Sequence, residues 1–191
     1  MRTTQTVTDS LRRVADELSG VGSVMADHGP GSLEELLAAL QSAPRIFVHG
    51  AGRSGLALRM VAMRLMHAGL HLHIVGDVTT PALAPGDLLL CASGSGTTAS
   101  VVGVAGKAVE AGGSVAALTT DPASPLGALA SHLVVIPAAA KLERSSVRSH
   151  QFAGSLFEQS VLAVGDALFD TLWRRLNVDA DALWPRHANL E

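Results

Sequence analysis

One glycine- and hydroxyl-rich segment of the chain has the residue types that bind phosphate. Residues 92–98 read Ala-Ser-Gly-Ser-Gly-Thr-Thr, with no acidic residue among them. The segment follows the apolar run 88–91 and precedes a helical pattern that starts near Ala99. Glycines let the backbone approach a ligand closely, and the N–H groups and dipole of a helix start favour an anion. We therefore expect a phosphate cradle with four hydroxyl donors: Ser93, Ser95, Thr97 and Thr98.

A second glycine-rich segment, residues 50–55, reads Gly-Ala-Gly-Arg-Ser-Gly. It matches the G-x-G-x-x-G fingerprint of dinucleotide-binding proteins, and Asp77 stands about where a ribose-binding acid would be. Two other interpretations are open: the glycines only allow a tight turn, or Arg53 and Ser54 contact a ligand. A positive charge at a helix start is unfavourable against the dipole, which favours a ligand role for Arg53. The chain is also short for a dehydrogenase, and NAD binding leaves residues 93–98 unexplained.

Thr79 and Thr80 follow the second predicted strand. At the carboxyl edge of a sheet such a hydroxyl pair could reach the same ligand. The other interpretation is that a threonine caps the next turn, and the sequence does not separate the two.

Two titratable residues near the end of the chain are candidates for proton transfer. Glu158 stands among apolar neighbours at the start of the last helical pattern, where partial removal from water would make its carboxylate a better base. A glutamate in a first turn can also simply complement the helix dipole. His187 belongs to a Pro/Arg/His/Asn tail, which is typically a frayed end, but it could act as acid or base if the tail docks.

The spacing of apolar residues predicts helices that alternate with short strands after two N-terminal helices. The second helix has Ser32 in an N-cap position and Glu35 three residues later, as in a capping box. The third has Leu56, Met60 and Met63 on one side. The predicted helices are 8–27, 32–41, 54–68, 100–111, 126–130 and 152–176, and the predicted strands are 45–49, 71–75, 88–92, 115–119 and 133–136.

Strands separated by helices predict an α/β fold in which one parallel sheet has helices on both faces. We expect five strands in the flavodoxin-like order 2-1-3-4-5. The strands at 45–49 and 88–92 are then neighbours at the topological switch point, where open sheets of this kind bind ligands. The chain is expected to be a single domain, with an N-terminal helical extension (1–43), an α/β core (44–178) and a C-terminal tail (179–191).

Composition and charge exclude several classes of protein. The 191 residues are 48% hydrophobic and carry a net charge of −3, which does not favour nucleic acid or anionic lipid as a partner. Cys91 is the only cysteine, so no intramolecular disulfide forms, and its apolar run predicts a core residue. The N-terminus lacks the apolar stretch of a signal peptide and the histidines lack metal-ligand spacing, so we expect a cytoplasmic protein without a bound metal or membrane span.

Beyond these patterns, residues 45–191 resemble the sugar isomerase (SIS) domain, and more closely the 6-phospho-3-hexuloisomerase family. The hydroxyl segment is common to SIS domains, whereas the segment 62–67 and the tail 186–191 single out this branch. The N-terminal helices also suit the family. The segments that carry the resemblance are 50–55, 62–67, 75–77, 79–82, 86–89, 93–96, 124–126, 154–158 and 186–191.

The resemblance implies an isomerase that interconverts 3-hexulose 6-phosphate and fructose 6-phosphate in the ribulose monophosphate route of formaldehyde fixation. It implies a homotetramer with active sites at subunit interfaces, and no cofactor. Ser93, Ser95 and Thr98 would hold the phosphate, Glu158 would transfer the proton, and His187 would reach an active site in the oligomer. Arg53, or the amides near Gly52, could stabilise the enediolate oxygen.

The sequence also departs from the family pattern. Thr97 stands where the family often has glutamate, a change that keeps a hydroxyl and removes a charge repelling phosphate. The segment before residue 154 has Arg144, Arg148 and His150 in place of a Pro-Met pair, and Ser155 replaces a more frequent threonine. Two alternatives within the same fold stay open: an isomerase for another sugar phosphate, and a non-catalytic module that binds a sugar phosphate.

Overall fold

A parallel sheet of five strands forms the centre of the molecule, with the order β2-β1-β3-β4-β5. The computed structural model describes residues 5–28, 30–139 and 149–190. The predicted fold class and strand order are confirmed. The strands are β1 (Ile46–Gly50), β2 (Leu72–Ile74), β3 (Leu88–Ala92), β4 (Ser114–Thr119) and β5 (His132–Val135).

Helices cover both faces of the sheet, as parallel strands require. Helices α2, α3 and α6 contribute buried residues to one face together with α1, and α4 and α5 cover the other. Among the described residues, no helix combines the length and apolar character needed to cross a membrane. The helices are α1 (Val7–His28), α2 (Pro30–Ser42), α3 (Gly52–His67), α4 (Ala99–Glu110), α5 (Pro125–Leu129), α6 (Ser155–Leu176) and α7 (Ala180–Leu183).

The two central strands show why the sheet stays in register. In β1, Ile46 and Val48 face the α3 and α6 layer, whereas Phe47 faces α4. All five residues of β3 are buried because both of its faces are covered. A shift by one residue would exchange the faces of these side chains, so the apolar pattern fixes where β1 and β3 end. Gly50 and Ala92, the last residues of the two strands, are direct partners.

The starts of α2, α3 and α6 lie two or three residues from the predicted positions. For α2 and α6 the reason is a local feature of the backbone. Helix α2 begins at Pro30, so Ser32 lies inside its first turn and is not the N-cap. Proline is well tolerated at a helix start because the N–H it lacks would have no partner there. Helix α6 begins at Ser155 and not at residue 152, because Ala153 has a positive φ of 54° that no helix can contain.

The apolar side of α3 that the sequence indicated is the exposed one. Leu56, Met60 and Met63 are each at least half exposed in the single chain. The buried side of the helix fits against the sheet and α6. Three of its apolar residues are small or β-branched (Ala57, Val61 and Ala62), and two are leucines (Leu58 and Leu65).

Candidate active site

A crevice of about 390 Å³ opens at the carboxyl ends of β1 and β3, the predicted switch point. Its walls come mainly from three parts of the chain that are distant in sequence, and Ala139, after β5, adds a fourth contact. The three parts are residues 51–54 after β1, residues 92–95 with Thr98 after β3, and residues 152–155 with Phe157 and Glu158 at the start of α6. The structure therefore brings the two glycine-rich segments together, as the topology predicted, and it places Glu158 beside them.

Three helices begin at this crevice, and none of them has a side-chain cap. The N-cap residues Ala51 of α3, Thr98 of α4 and Gly154 of α6 make no capping hydrogen bond with their side chains. Two helices elsewhere are capped, since Ser124 accepts from Gly127 and Asp179 from Ala182. Uncapped helix starts present N–H donors and the positive ends of their dipoles. The crevice is thus built to receive an anion.

The backbone of the hydroxyl segment is held in place by the end of β4. The carbonyl of Gly94 accepts hydrogen bonds from the amide of Thr120 and from the hydroxyls of Thr119 and Thr120. Gly96 has a φ of +62°, and a Cβ there would lie 1.9 Å from the Ser124 hydroxyl oxygen. Only glycine fits this position. Contacts within the chain therefore set the shape of the cradle, which lowers the cost of binding.

The four hydroxyls of the segment divide into two hydrogen-bonded pairs. The Ser93 and Thr98 hydroxyl oxygens lie 3.0 Å apart, and both residues line the crevice. The Ser95 hydroxyl accepts from the Thr97 hydroxyl at 2.9 Å and from the Thr97 amide at 3.3 Å. Ser95 lines the crevice, whereas Thr97 is exposed beside it. The geometry thus assigns Thr97 to holding Ser95 rather than to the crevice wall.

The glycines of residues 50–55 are required by the turn itself. A Cβ on Gly55 would lie 2.3 Å from the carbonyl oxygen of Gly50, and Gly52 has a φ of +56°. The strand and the helix therefore meet backbone against backbone. Asp77, which dinucleotide binding would have used, lies 3.3 Å from Arg59 on α3 and does not line the crevice. The tight turn accounts for the fingerprint without a dinucleotide.

Arg53 and Glu158 form an ion pair across the crevice. The Nε–H of Arg53, in the first turn of α3, donates to Oε2 of Glu158, in the first turn of α6. The Glu158 side chain is only 19% exposed, whereas Arg53 is 65% exposed. The pair explains how a cation is accommodated at a helix start, where the dipole alone would oppose it. The pair also holds the carboxylate in the wall, and the low exposure of Glu158 is what its apolar sequence neighbours suggested.

Thr80 does not lie in the crevice of its own chain. Its hydroxyl donates to the carbonyl of Ile74 at 2.5 Å, which closes the turn after β2. The residue lines a different cavity, between β1, β3 and α4, together with Val75 and Lys107. The chain turns toward the α4 face after β2, and the sequence gives no sign of that direction. Within one chain the Thr80 hydroxyl therefore serves the turn that precedes it, rather than the next turn or this crevice.

The C-terminal tail is docked, but at the far end of α3. The His187 ring stacks between the rings of His67 and Trp184, with centroid distances of 5.3 and 5.1 Å. Arg186 donates to the carbonyl of His67 at 3.3 Å. His67 is the last residue of α3 and Arg53 the second, which separates them by about 21 Å at 1.5 Å per residue. Within one chain, His187 therefore lies away from the crevice that holds Glu158.

Several residues of the crevice wall were not singled out by the sequence. Phe152 is 91% exposed at the rim, and Ala153 adopts its positive φ between Phe152 and Gly154. A non-glycine residue with a positive φ stores strain and often marks a functional site.

Cys91 is buried, and burial raises the pKa of its thiol to about 12, so it is an inert core residue as predicted. Arg144 and Arg148 lie outside the described residues.

Comparison with known proteins agrees with this architecture. The chain is 52% identical over 185 residues to the 3-hexulose-6-phosphate isomerase of Mycobacterium gastri, covering 97% of this chain and 92% of that protein. It is 39% identical over 192 residues to the 3-hexulose-6-phosphate isomerase of Bacillus subtilis, covering all of both chains.

A solved structure has the same fold over nearly the whole chain. It is that of a hypothetical protein of Methanococcus jannaschii, from which a molecular function of 3-hexulose-6-phosphate isomerase has been inferred. It superposes with a TM-score of 0.81 at 29% identity, over 96% of this chain and 99% of that one. The SIS domain family model matches residues 39–163, which include both glycine-rich segments and Glu158. The chain belongs to the SIS domain family.

Proposed function

We propose that this protein is an isomerase that interconverts 3-hexulose 6-phosphate and fructose 6-phosphate. One observation carries the proposal: an anion cradle and a half-buried carboxylate face each other across a single crevice. The relatives named as 3-hexulose-6-phosphate isomerases match the chain over nearly its whole length, which supports the choice of sugar. A phosphorylated hexose of cell metabolism is consistent with a cytoplasmic location.

The reaction is an internal proton transfer. In the substrate the carbonyl is at C3 and C2 carries a hydroxyl, and in the product these positions are exchanged. A base removes the proton from C2 to give a cis-enediol and returns it to C3, while the hydroxyl proton moves from O2 to O3. Atoms and electrons balance within the sugar, so the protein needs to supply only a base, a path for the hydroxyl proton and charge stabilisation.

The residues of the crevice divide these tasks between them. Ser93, Ser95 and Thr98, with the uncapped start of α4, hold the phosphate and fix the carbon chain relative to Glu158. Glu158 is the base. Arg53 uses its Nε–H on Glu158 and has further N–H donors in the same guanidinium plane for the developing enediolate oxygen. Ser54 and the amide of Gly52 lie in the same wall and supplement that stabilisation.

The proposal is tested by a coupled assay in which a synthase generates 3-hexulose 6-phosphate in situ and fructose 6-phosphate formation is followed. A parallel thermal-shift series compares fructose 6-phosphate, other sugar phosphates and NAD. At a concentration of 100 times Kd, a ligand stabilises the folded protein by about 2.7 kcal/mol. We expect turnover, and stabilisation by fructose 6-phosphate but not by NAD.

Each contrary result points to a different alternative. Stabilisation by fructose 6-phosphate without turnover would mean a non-catalytic sugar-phosphate module. Turnover of a different sugar phosphate would mean another isomerase of the same fold. Stabilisation by NAD alone would restore the dinucleotide interpretation and contradict the proposal.

Replacing Ser95 by alanine is expected to raise KM much more than it lowers kcat. The variant removes one hydroxyl from the phosphate cradle and also the acceptor that holds Thr97. A hydrogen bond to a charged group contributes about 1.5–3 kcal/mol, so KM should rise by about 10- to 100-fold. Steady-state kinetics measure both constants. Ser100→Ala, an exposed position in the same helix start, is the control, and an unchanged KM in S95A would remove Ser95 from the phosphate site.

We also propose that the protein is a homotetramer with active sites at subunit interfaces. Two features of the single chain support this. The side of α3 that carries Leu56, Met60 and Met63 is exposed although it is apolar, and such patches typically mark protein interfaces. His187 lies about 21 Å along α3 from the crevice of its own chain, so a catalytic role requires a neighbouring subunit.

This arrangement predicts complementation between two inactive variants. Glu158→Gln and His187→Ala are each expected to lose most activity alone. When the two are unfolded together and refolded, mixed tetramers should regain activity at about one quarter of their sites, because a site then takes Glu158 from one subunit and His187 from another. Each variant refolded alone is the control. Full activity of His187→Ala, or no recovery in the mixture, would contradict a shared site.

A further inference from the structure

We propose that Glu17, on the N-terminal helix α1, is a positioning residue of the active site. Its carboxylate fixes residues 149–151, and through them the crevice wall formed by residues 152–155 and Glu158. This inference rests on the proposed function for its kinetic consequence, but the contacts that carry it are independent of the substrate. It gives the N-terminal extension a role in the site, although α1 does not itself line the crevice.

Three consecutive residues converge on the Glu17 carboxylate. The Ser149 hydroxyl donates to Oε2 at 2.7 Å, and the side-chain amide of Gln151 donates to the same oxygen at 3.2 Å. The backbone amide of His150 donates to Oε1 at 2.8 Å. Ser149 is buried, and its hydroxyl oxygen also accepts a hydrogen bond from the backbone amide of Gln151 at 3.0 Å. One side chain of α1 thus anchors a segment more than 130 positions away in sequence.

Hydrogen bonds connect this segment directly to α6, the helix that carries Glu158. Gln151 and Gln159 exchange two side-chain hydrogen bonds, at 3.1 and 2.9 Å. Gln159 is the neighbour of Glu158 in the first turns of α6. The segment between them contains Phe152, whose carbonyl accepts from the Ser155 hydroxyl at 2.8 Å, and the strained Ala153. A strained backbone persists only where its surroundings determine it. Here Glu17 holds residues 149–151 before Ala153, and the bonds between Gln151 and Gln159 tie those residues to α6 behind it.

The charge of Glu17 suits this task. A carboxylate only accepts hydrogen bonds, and here it meets three donors. Burial opposes the charge, but the bonds from Ser149, His150 and Gln151 outweigh burial and lower the pKa of Glu17 below its ordinary value. The anchor is therefore ionised at neutral pH, and its contribution to stability is lost only as the pH falls through that lowered pKa. An amide in the same place would present a donor to another donor.

The proposal predicts a split between kcat and KM. The phosphate cradle is held by β4 and does not depend on Glu17, whereas the wall around Glu158 does. Glu17→Ala should therefore lower kcat by about 10- to 100-fold through misplacement of Glu158, with KM changed by less than about threefold. Glu17→Gln keeps the shape of the side chain and one acceptor oxygen, so its kcat should lie between those of Glu17→Ala and the wild type. Glu34→Gln, which loses only the exposed pair with Arg175, is the control and should behave as wild type.

The experiment combines these kinetics with hydrogen exchange and fructose 6-phosphate binding on the same proteins. Backbone amides of residues 149–155 should exchange at least about tenfold faster in Glu17→Ala, and those of β3 and β4 should be unchanged. A purely structural role would lower the melting temperature and leave kcat per folded molecule intact, which would overturn the proposal, as would unchanged exchange at 149–155. If the wild type binds the sugar phosphate but does not turn it over, the proposed function fails, and the exchange result still decides whether Glu17 anchors the wall.

Discussion

Replacing Glu158 by glutamine is expected to lower kcat by about 10²- to 10⁴-fold and to leave the affinity for fructose 6-phosphate within about threefold of the wild type. The amide has nearly the same shape as the carboxylate, and its oxygen can still accept the hydrogen bond that Arg53 gives to Oε2. It has no basic lone pair with which to take a proton from carbon. The phosphate cradle, which lies on the other wall of the crevice, is unaffected by the change.

Single-turnover kinetics together with calorimetric binding of fructose 6-phosphate measure the two effects separately. Glu110→Gln, at the exposed end of α4, makes the same chemical change away from the crevice and should retain full activity. Glu158→Asp withdraws the carboxylate by one methylene and should have intermediate activity. A Glu158→Gln variant with wild-type kcat would show that another group is the base. A variant that no longer binds would show that Glu158 is a binding residue.

The sheet and its switch point could be predicted because their determinants are local. Short apolar runs between helical patterns give parallel strands, and the right-handed connection between them leaves few possible orders. The two glycine-rich segments follow directly on β1 and β3, so their meeting needed only the strand order. Glu158 was added to the predicted site because the resemblance to a family singled it out. The residues alone did not distinguish it from a glutamate that complements a helix dipole.

The parts that could not be predicted depend on side chains that meet across long stretches of chain. Nothing near Glu17 in sequence indicates that it binds Ser149, and nothing in the tail indicates that His187 stacks on His67. The exposed side of α3 was ambiguous for a related reason. Both of its sides carry apolar residues, and which one faces the sheet is decided by the smaller side chains that fit against α6. Of these contacts between distant parts of the chain, the close packing of α3 against α6 has the largest consequence for the site, because these helices carry Arg53 and Glu158.

Replacing Gly165 by alanine is expected to destabilise the protein and to reduce activity at the same time. Gly165 lies in α6 where that helix crosses α3, and a Cβ there would lie 2.1 Å from Cγ2 of Val61 and 2.9 Å from its Cβ. Overpacking of this kind costs about 1–3 kcal/mol. The greater helix propensity of alanine returns at most about 1 kcal/mol of that cost. The two helices must therefore move apart or shift along each other.

That movement reaches the active site because the same two helices supply its ion pair. Arg53 precedes Val61 by about two turns of α3, and Glu158 precedes Gly165 by about two turns of α6. A shift at the crossing thus separates the guanidinium from the carboxylate that it holds, and a misplacement of about 1 Å can cost about 10²-fold in rate. We expect the variant to lose more activity than the unfolded fraction at the assay temperature explains.

Urea unfolding and kcat of the same preparations test this coupling between packing and catalysis. Gly103→Ala, at an exposed position of α4 where a Cβ meets nothing within 4 Å, is the matched control and should be stabilised by up to about 1 kcal/mol. Val61→Ala removes the two clashing methyl groups, so the double variant with Gly165→Ala should recover part of both stability and kcat. Strict additivity of the two substitutions would contradict a direct clash, because residues in contact show interaction energies of about 0.5–3 kcal/mol. Recovery of stability without recovery of kcat would show that the distance between α3 and α6 does not set the position of Glu158 relative to Arg53.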